Sequence, residues 1–291
     1  MPIRKDGTGR RWVEMELLVP GTPEQVWEAI ATGPGNAAWF VRGEIEPREG
    51  GAFSLHFGEG ASTSGEVTAW EPPHRFGYVE REWEPGAPPV ATEITVTGRS
   101  GDACVVRMVH SLFASTDDWD DQLEGFEAGW PGFFAVLRVY LAHFAGADAA
   151  SFMAMMAARE DALSAWRRLG DALGLAGANA GERRTASAGP EPWSGIVERV
   201  HQDGRTRWVL LRLDAPSPGI ALVGTIGAAE SMGEVERQLG KGAECTVSLN
   251  RYYYGEDAAA RAAASEAGWR RWLAETFGEE AGVPEAAGAS P

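Results

Sequence analysis

Gly101-Asp102-Ala103-Cys104-Val105-Val106-Arg107-Met108 is a turn running into an apolar strand, and Gly242-Ala243-Glu244-Cys245-Thr246-Val247-Ser248-Leu249 repeats that pattern later in the chain. Working outward, each stretch has a tryptophan-bearing segment on both sides. Val26-Trp27-Glu28-Ala29-Ile30 and Glu127-Ala128-Gly129-Trp130 flank the first; Ala165-Trp166-Arg167-Arg168-Leu169 and Glu266-Ala267-Gly268-Trp269 flank the second. The Trp-to-Cys offsets are 104−27=77 and 245−166=79, and the Cys-to-Trp offsets are 130−104=26 and 269−245=24. Three landmarks in one order at nearly one spacing predict two copies of a domain of about 130 residues.

The bulk composition fits that size. A chain of 291 residues makes a small number of ordinary domains, and one half of it is long enough to bury a core without metals or disulfides. A net charge of −16 argues against nucleic acid and against docking on an anionic membrane, since both need a basic surface. Cys104 and Cys245 are the only cysteines. At equivalent places in the repeat, each opening an apolar strand, they read as buried core thiols. The start, Met1-Pro2-Ile3-Arg4-Lys5-Asp6, runs into a charged strand, so no signal peptide is expected from it, and the apolar region from Phe133 to Ala158 is broken by Arg138, His143 and Asp148. A cytoplasmic, bacterial-type protein is expected.

Along the first half, Trp12–Val19 reads as a strand. Pro20-Gly21-Thr22-Pro23 turns into a helix with Thr22 as N-cap, Pro23 at the first helical position and Gln25 at the box position. That helix buries Val26, Trp27 and Ile30 and is expected to end at Gly33-Pro34-Gly35, with a short second helix holding Trp39 and Phe40. Ala52–Phe57, Gly65–Trp70, Phe76–Trp83, Thr92–Arg99 and Cys104–Phe113 follow as strands of an antiparallel meander. Thr116-Asp117-Asp118 opens a long helix with Phe126, Trp130, Phe133, Leu137 and Leu141 on one face, and Pro131 is expected in its first turns or at a kink.

The second half is a weaker version. Phe152–Ala157 reads equally as strand or helix, and Asp161–Leu173 as a helix. Ala176–Pro190, rich in Gly, Ala and Ser, reads as a loop. Strands are expected at Trp193–Val200, Arg207–Leu213, Ile220–Ile226 and Cys245–Tyr254, then a helix over Asp257–Phe277. Residues 279–291 form an acidic tail of small residues, expected to be disordered. The domains are therefore placed at 11–147 and 150–278. The class is α+β: an antiparallel sheet wrapped around a long C-terminal helix, the helix-grip arrangement, in two tandem copies.

Particular residues in the first half carry a resemblance. Thr22-Pro23-Glu24-Gln25-Val26-Trp27-Glu28-Ala29-Ile30, Gly50-Gly51-Ala52-Phe53, Gly65-Glu66-Val67, Glu71-Pro72-Pro73-His74-Arg75-Phe76, Val106 to Ser111 and Gly129-Trp130-Pro131-Gly132-Phe133-Phe134 resemble the START-like (SRPBCC) superfamily. The closer likeness is to the branch named for the homologue of the Hsp90 ATPase activator, over residues 12–145. The second half lacks the Gly50-Gly51 and Pro72-Pro73 turns, has Arg251 where His110 stands, and has Arg270 and Arg271 for Pro131 and Gly132. It reads as a degenerate copy. The resemblance implies an internal cavity between sheet and helix. Relatives bind lipids, steroids, polyketides or hormones there, and some act as cyclases or hydratases on aromatic polyketides.

Strand phase points to where chemistry sits. Val106, Met108, His110 and Leu112 share the more apolar face of their strand, so His110 belongs in or beside the cavity, as the resemblance also implies. There it can orient a ligand carbonyl or act as acid or base. A buried histidine bonded to the backbone is the simpler account and the preferred one. Trp39, Phe53, Phe57, Phe76, Tyr78, Met108, Trp130, Phe133 and Phe134 are the remaining candidate lining, with core packing the simpler account for any one of them. If Tyr78 faces in, Glu80 does too, and Arg81 faces out.

In the second half, Val247, Leu249, Arg251 and Tyr253 share a face. Arg251 would then point inward towards Trp269, to stack or to pair with an anion. An arginine snorkelling to solvent at a strand end is the preferred reading.

Standard catalytic signatures are missing. Ala229-Glu230-Ser231-Met232-Gly233 lacks the first Gly of a nucleophile elbow, and Gly33 to Ala38 follows a helix, not the strand a dinucleotide loop needs. His56, His74, His110, His143 and His201 have no metal-ligand spacing, and Asp117, Asp118, Asp120 and Asp121 suit a solvated helix start. No metal and no cofactor is expected. Three readings follow: binding of a small apolar or aromatic ligand, a polyketide cyclase-like enzyme using His110, and a protein–protein adaptor or chaperone cofactor.

Overall fold

The computed structural model describes residues 3–6, 10–58, 61–81, 87–113, 120–227 and 244–278. Thr116-Asp117-Asp118, the side chain of Phe126, the Ser231 segment and the 279–291 tail lie outside the described residues.

The first unit runs β1 (Arg4–Lys5), β2 (Arg10–Pro20), α1 (Pro23–Ala31), α2 (Gly33–Ala37), β3 (Arg42–Ile45), β4 (Ala52–Gly58), β5 (Ala61–Glu71), β6 (Arg75–Glu80), β7 (Val90–Arg99), β8 (Ala103–Phe113) and α3 (Asp120–His143). Its eight strands lie in the order β1-β2-β8-β7-β6-β5-β4-β3. The second unit runs β9 (Ala149–Ala158), α4 (Ala162–Ala172), β10 (Arg183–Ala186), β11 (Trp193–Gln202), β12 (Thr206–Ala215), β13 (Gly219–Gly227), β14 (Cys245–Tyr254) and α5 (Ala258–Phe277). Its six strands lie in the order β10-β11-β12-β13-β14-β9. In the first sheet β2 pairs with the closing strand β8, in the second β9 pairs with the closing strand β14, and the strands between form a meander.

Local chemistry explains the element ends. Thr22 accepts a hydrogen bond from the Gln25 amide at 3.4 Å while its own amide donates to Gln25 Oε1 at 3.0 Å. This reciprocal box satisfies two orphan donors of α1 and is worth about 1 kcal/mol. Asp161 caps α4 by accepting from the amides of Leu163 and Ser164.

Several expectations need correction. Gly33-Pro34-Gly35 does not end a helix; it is the first turn of α2, capped by Thr32, and α2 stops before Trp39 and Phe40. Of the two readings left open for Phe152–Ala157, the structure has the strand, within β9. The Ala176–Pro190 loop contains β10, and a further short edge strand, β3, stands where none was expected. Pro131 lies exposed in the interior of α3, eleven residues past its first residue (131−120=11).

Two apolar cores result. The first unites the inner face of the first sheet with α1 and α3, and it also takes in Trp208, Leu210, Ile220, Leu222, Tyr252 and Tyr254 from the second sheet. The second lies between the other face of the second sheet, α4 and α5. Helix α3 is thus clamped between both sheets. Gly132 permits the approach: a Cβ there would sit 3.2 Å from Leu222 Cδ2.

The repeated landmarks occupy matching places. Trp27 and Trp166 lie on α1 and α4, Cys104 and Cys245 on β8 and β14, Trp130 and Trp269 on α3 and α5. Both cysteines are buried free thiols, and burial pushes Cys245 up to about 11. Among the described residues no helix is long and apolar enough to cross a membrane.

Candidate functional site

A cavity of about 250 Å³ opens between the first sheet and α3. Leu55 and Phe57 reach it from β4, Thr63 from β5, Tyr78 and Glu80 from β6, Val90 from β7, His110 from β8, and Gly129, Trp130 and Phe133 from α3, with Phe40 from the loop after α2. The strand period delivers these groups together. Tyr78 pairs with Thr92 across β6–β7, Thr92 with His110 across β7–β8, and His110 with Val13 across β8–β2. One rung of the sheet therefore carries Tyr78, Thr92 and His110 side by side on the inner face. Glu80, two residues on from Tyr78, shares that face while Arg81 is exposed, as the alternation requires.

Burial sets the electrostatics. His110 is 3% exposed and its Nδ1 lies 2.6 Å from Thr92 Oγ1. Its partner at Nδ1 is a side chain, where sequence reasoning expected the backbone. Burial pulls the His110 pKa down to about 4, so the imidazole is neutral at neutral pH. Burial likewise raises the Glu80 carboxyl above its ordinary range, and burial with the neighbouring Glu80 raises Tyr78. The polar groups of this cavity are all driven towards their neutral forms. Such groups can hold a ligand by hydrogen bonds, or exchange a proton with it, without a fixed charge in the apolar space.

Of the sequence-selected residues, Phe57, Tyr78, His110, Trp130 and Phe133 line the cavity. Trp39, Phe53, Phe76, Met108 and Phe134 do not; they are the packing behind it. Phe53 stacks on Tyr78 with centroids 3.9 Å apart, and Trp39 stacks on Phe134 at 6.2 Å while its Nε1 donates to the Ala29 carbonyl. Phe76 meets Trp27 and Trp70 edge-on, and Met108 is fully buried. Sequence reasoning missed Phe40, Leu55, Thr63 and Val90. Phe40 had a signal, an aromatic beside Trp39 after a Gly-Pro turn, but its place as a wall against Trp130 and Phe133, both 4.8 Å away, depends on the tertiary fold.

In the second unit Arg251 points inward, and the preferred reading of it as a solvent-snorkelling arginine is overturned. It is 1% exposed, its Nη1 lies 2.6 Å from Glu191 Oε1, and its guanidinium sits 5.0 Å from the ring centroids of both Trp193 and Tyr253. Glu191 also accepts from Tyr253 Oη, Ser265 Oγ and the fully buried Trp269 Nε1. Burial lowers the Arg251 pKa, with Tyr253 and Glu191 acting against that shift. Among the described residues no group of three or more His, Cys, Asp or Glu side chains is placed to hold a metal.

The first unit, an antiparallel sheet closed on a long C-terminal helix over an internal cavity, is a helix-grip domain of the START-like class. Residues 20–142 match the family described as activator of Hsp90 ATPase homolog 1-like protein. No curated protein matches the chain. Among solved structures, DynU16 of the dynemicin biosynthetic locus is 17% identical, with 90% of this chain and 95% of that one covered and a TM-score of 0.40. CalU16 from Micromonospora echinospora is 22% identical over 48% of this chain and 83% of its own, at a TM-score of 0.40. MLL2253 from Mesorhizobium loti is 25% identical over 46% and 98%, at 0.42.

Proposed function

We propose that the first unit binds a small apolar or aromatic molecule in the cavity between its sheet and α3, without a cofactor, in a cytoplasmic setting. The observation that carries this reading is the cavity itself: about 250 Å³, walled by Phe40, Phe57, Tyr78, Trp130 and Phe133, with a few neutral polar groups aimed into it. That is the composition of a small-molecule site, although its volume falls just below the usual range of roughly 300–1,000 Å³. The family likeness supports it, since helix-grip domains commonly take hydrophobic ligands. On this reading His110, Glu80 and Tyr78 orient the ligand, and Phe57, Trp130 and Phe133 supply its apolar contacts. The core residues Trp39, Phe53, Phe76, Met108 and Phe134 hold the walls in place. Residues 11–147 and 150–278 are taken as the two domains, the second a degenerate copy of the first.

Native mass spectrometry of the intact protein tests for a retained small molecule, and calorimetric titration with 2-naphthol tests the cavity directly. Val90→Phe, which fills the cavity with an apolar side chain, is expected to abolish 2-naphthol binding while the protein stays folded. Unchanged binding in that variant would remove the cavity from the account.

A second reading is favoured by one observation, the convergence of His110, Glu80 and Tyr78 on the same apolar space. This suits acid–base catalysis of the polyketide cyclase kind, with a neutral imidazole as base and a carboxyl of raised pKa as acid. A His110→Ala variant that keeps ligand affinity and loses turnover supports it; one that keeps both makes His110 structural. A protein–protein adaptor role has no comparable observation behind it.

A further inference from the structure

A second, larger cavity lies between the two units. It has a volume of about 400 Å³, inside the range of roughly 300–1,000 Å³ common for small-molecule sites. The first unit lines it with Phe40, Val41, Arg42, His56 and Gly58, and the second with residues of β9 and α5, among them Ser151, Met153, Glu266 and Arg270. Arg42 and His56 are cross-strand partners on β3 and β4. We infer that this cleft is a binding site for a small organic oxyanion, a carboxylate or phosphate group, held by Arg42 and by the open edge of β9.

Three observations converge on it. First, both walls are sheet edges: β3 ends the first sheet and β9 ends the second. Open edges present backbone donors and acceptors that must find partners. Arg270 Nη2 donates to the Met153 carbonyl at 2.9 Å, which shows that this carbonyl points away from β14 and into the cleft. In an antiparallel ladder the N–H and C=O of one residue face the same side. The Met153 amide therefore also points into the cleft as a donor.

Second, the cations exceed the anions. Arg270 is tied through Nε and Nη2 to Glu266 Oε1, at 3.0 and 2.7 Å, so that pair is internally neutral. Arg42 is exposed and makes no hydrogen bond or ion pair among the described residues. Its charge has no partner among the described residues, in a chain whose formal charge is −16, where a positive cleft runs against the background field.

Third, the backbone makes room for the second unit's cation at the β4 wall. Gly58 has φ +121°, and a Cβ there would sit 3.1 Å from Arg270 Nη2. Only glycine adopts that conformation readily and leaves that space. Arg270 stands where the first unit has Pro131, so this contact is one the first unit's helix cannot make.

An oxyanion seated here would take a forked pair of hydrogen bonds from Arg42, a backbone bond from Met153 and the Ser151 hydroxyl. The site does not rest on the ligand reading of the inner cavity.

Isothermal titration of the intact protein with succinate, with inorganic phosphate and with uncharged succinamide tests it. At least one oxyanion is expected to bind and succinamide is not; which of succinate and phosphate binds more tightly separates carboxylate from phosphate. Arg42→Ala is expected to weaken that binding roughly tenfold or more, and Arg42→Lys by less, since lysine keeps the charge and loses the fork. Arg42 is exposed, so the melting temperature of both variants should match the wild type. Addition of the bound oxyanion should also shift the Met153 amide resonance in the wild type and not in Arg42→Ala. Binding that is indifferent to Arg42→Ala, binding of succinamide equal to that of succinate, or binding of neither oxyanion overturns the proposal.

Discussion

One sheet rung, present in both units, has opposite contents. In the first it reads Tyr78–Thr92–His110–Val13 across β6, β7, β8 and β2. In the second, the corresponding rung reads Leu211–Ala221–Arg251–Phe152 across β12, β13, β14 and β9. Polar neighbours hold a neutral imidazole at the edge of a cavity in the first case. In the second, Ala221 is small beside Arg251, and the guanidinium is enclosed by Glu191, Trp193 and Tyr253. The helix tryptophans follow suit. Trp130 lines a cavity, whereas Trp269 is fully buried and bonded to Glu191. A shared strand order therefore fixes a scaffold and leaves its interior to a few side chains, which decide between a hollow and a plug.

The largest effect should come from breaking the plug. Glu191→Ala leaves Arg251 buried without its carboxylate partner and orphans donors on Tyr253, Ser265 and Trp269. An uncompensated buried charge costs about 3–5 kcal/mol, which urea unfolding would read as a lowered midpoint. The double change Arg251→Met with Glu191→Leu should recover the part of that loss due to the buried charge, and not the part due to the orphaned donors on Tyr253, Ser265 and Trp269. If Glu191→Ala alone is neutral, the ion pair is not what holds the second interior.

The first unit's rung should show itself through pH. The folded His110 pKa, about 4, lies below its ordinary 6.5 because of burial. Between those values the unfolded chain carries a proton that the folded chain does not. Stability is therefore full above pH 6.5 and falls as pH drops towards 4, by about 3 kcal/mol from this residue. His110→Gln should lose that part of the pH slope. The corresponding rung of the second unit, Leu211–Ala221–Arg251–Phe152, carries no imidazole to protonate in this window. A slope unchanged by His110→Gln would mean that His110 is protonated inside the fold.

What the sequence made legible was periodic and local. The Cys245–Tyr254 strand has the bounds its pattern implied, and its two phases separate cleanly: Val247, Leu249 and Tyr253 enter the second core while Tyr252 and Tyr254 enter the first. The same alternation put His110 and Glu80 on the inner face. The rest depends on contacts that no local pattern encodes. Arg251 read as an arginine at a strand end because Glu191 comes from a loop 60 residues earlier (251−191=60). The edge strands β3 and β10 are four residues each, too short for two-residue periodicity to stand out from a Gly- or Ser-containing loop. The interunit cleft exists only once two sheet edges are brought together.

The units also communicate, which gives a smaller test. Tyr252 Oη donates to the Phe40 carbonyl at 3.1 Å and Tyr254 Oη to the Ala38 carbonyl at 2.8 Å, both buried. The second sheet thus pins the loop that supplies Phe40 to the walls of both cavities. Tyr252→Phe orphans the Phe40 carbonyl at a cost of about 1–3 kcal/mol. Calorimetry should show a lower transition temperature, and 2-naphthol should bind the first unit more weakly as Phe40 loses its anchor. Stability loss without any change in binding would separate the loop's packing role from the cavity.

The smallest expected change is a gain, and it separates the two interiors most sharply. Glu80 is 8% exposed, and burial raises its pKa above the ordinary carboxyl value of 4.5. In the pH range just above that value the folded chain keeps a proton that the unfolded chain releases, so stability from this group falls as pH rises. Glutamine has nearly the same shape, keeps a donor and an acceptor, and has no proton to lose. Glu80→Gln should therefore match the wild type near pH 4 and exceed it at pH 7, by on the order of 1 kcal/mol, the net worth of a hydrogen bond. The partly buried carboxylate of the second unit gives the opposite outcome: Glu191→Gln, which removes the partner facing the buried Arg251, should destabilise at pH 7. If both amide substitutions move stability in the same direction, the contrast between a neutral hollow and an ion-paired plug fails at its centre.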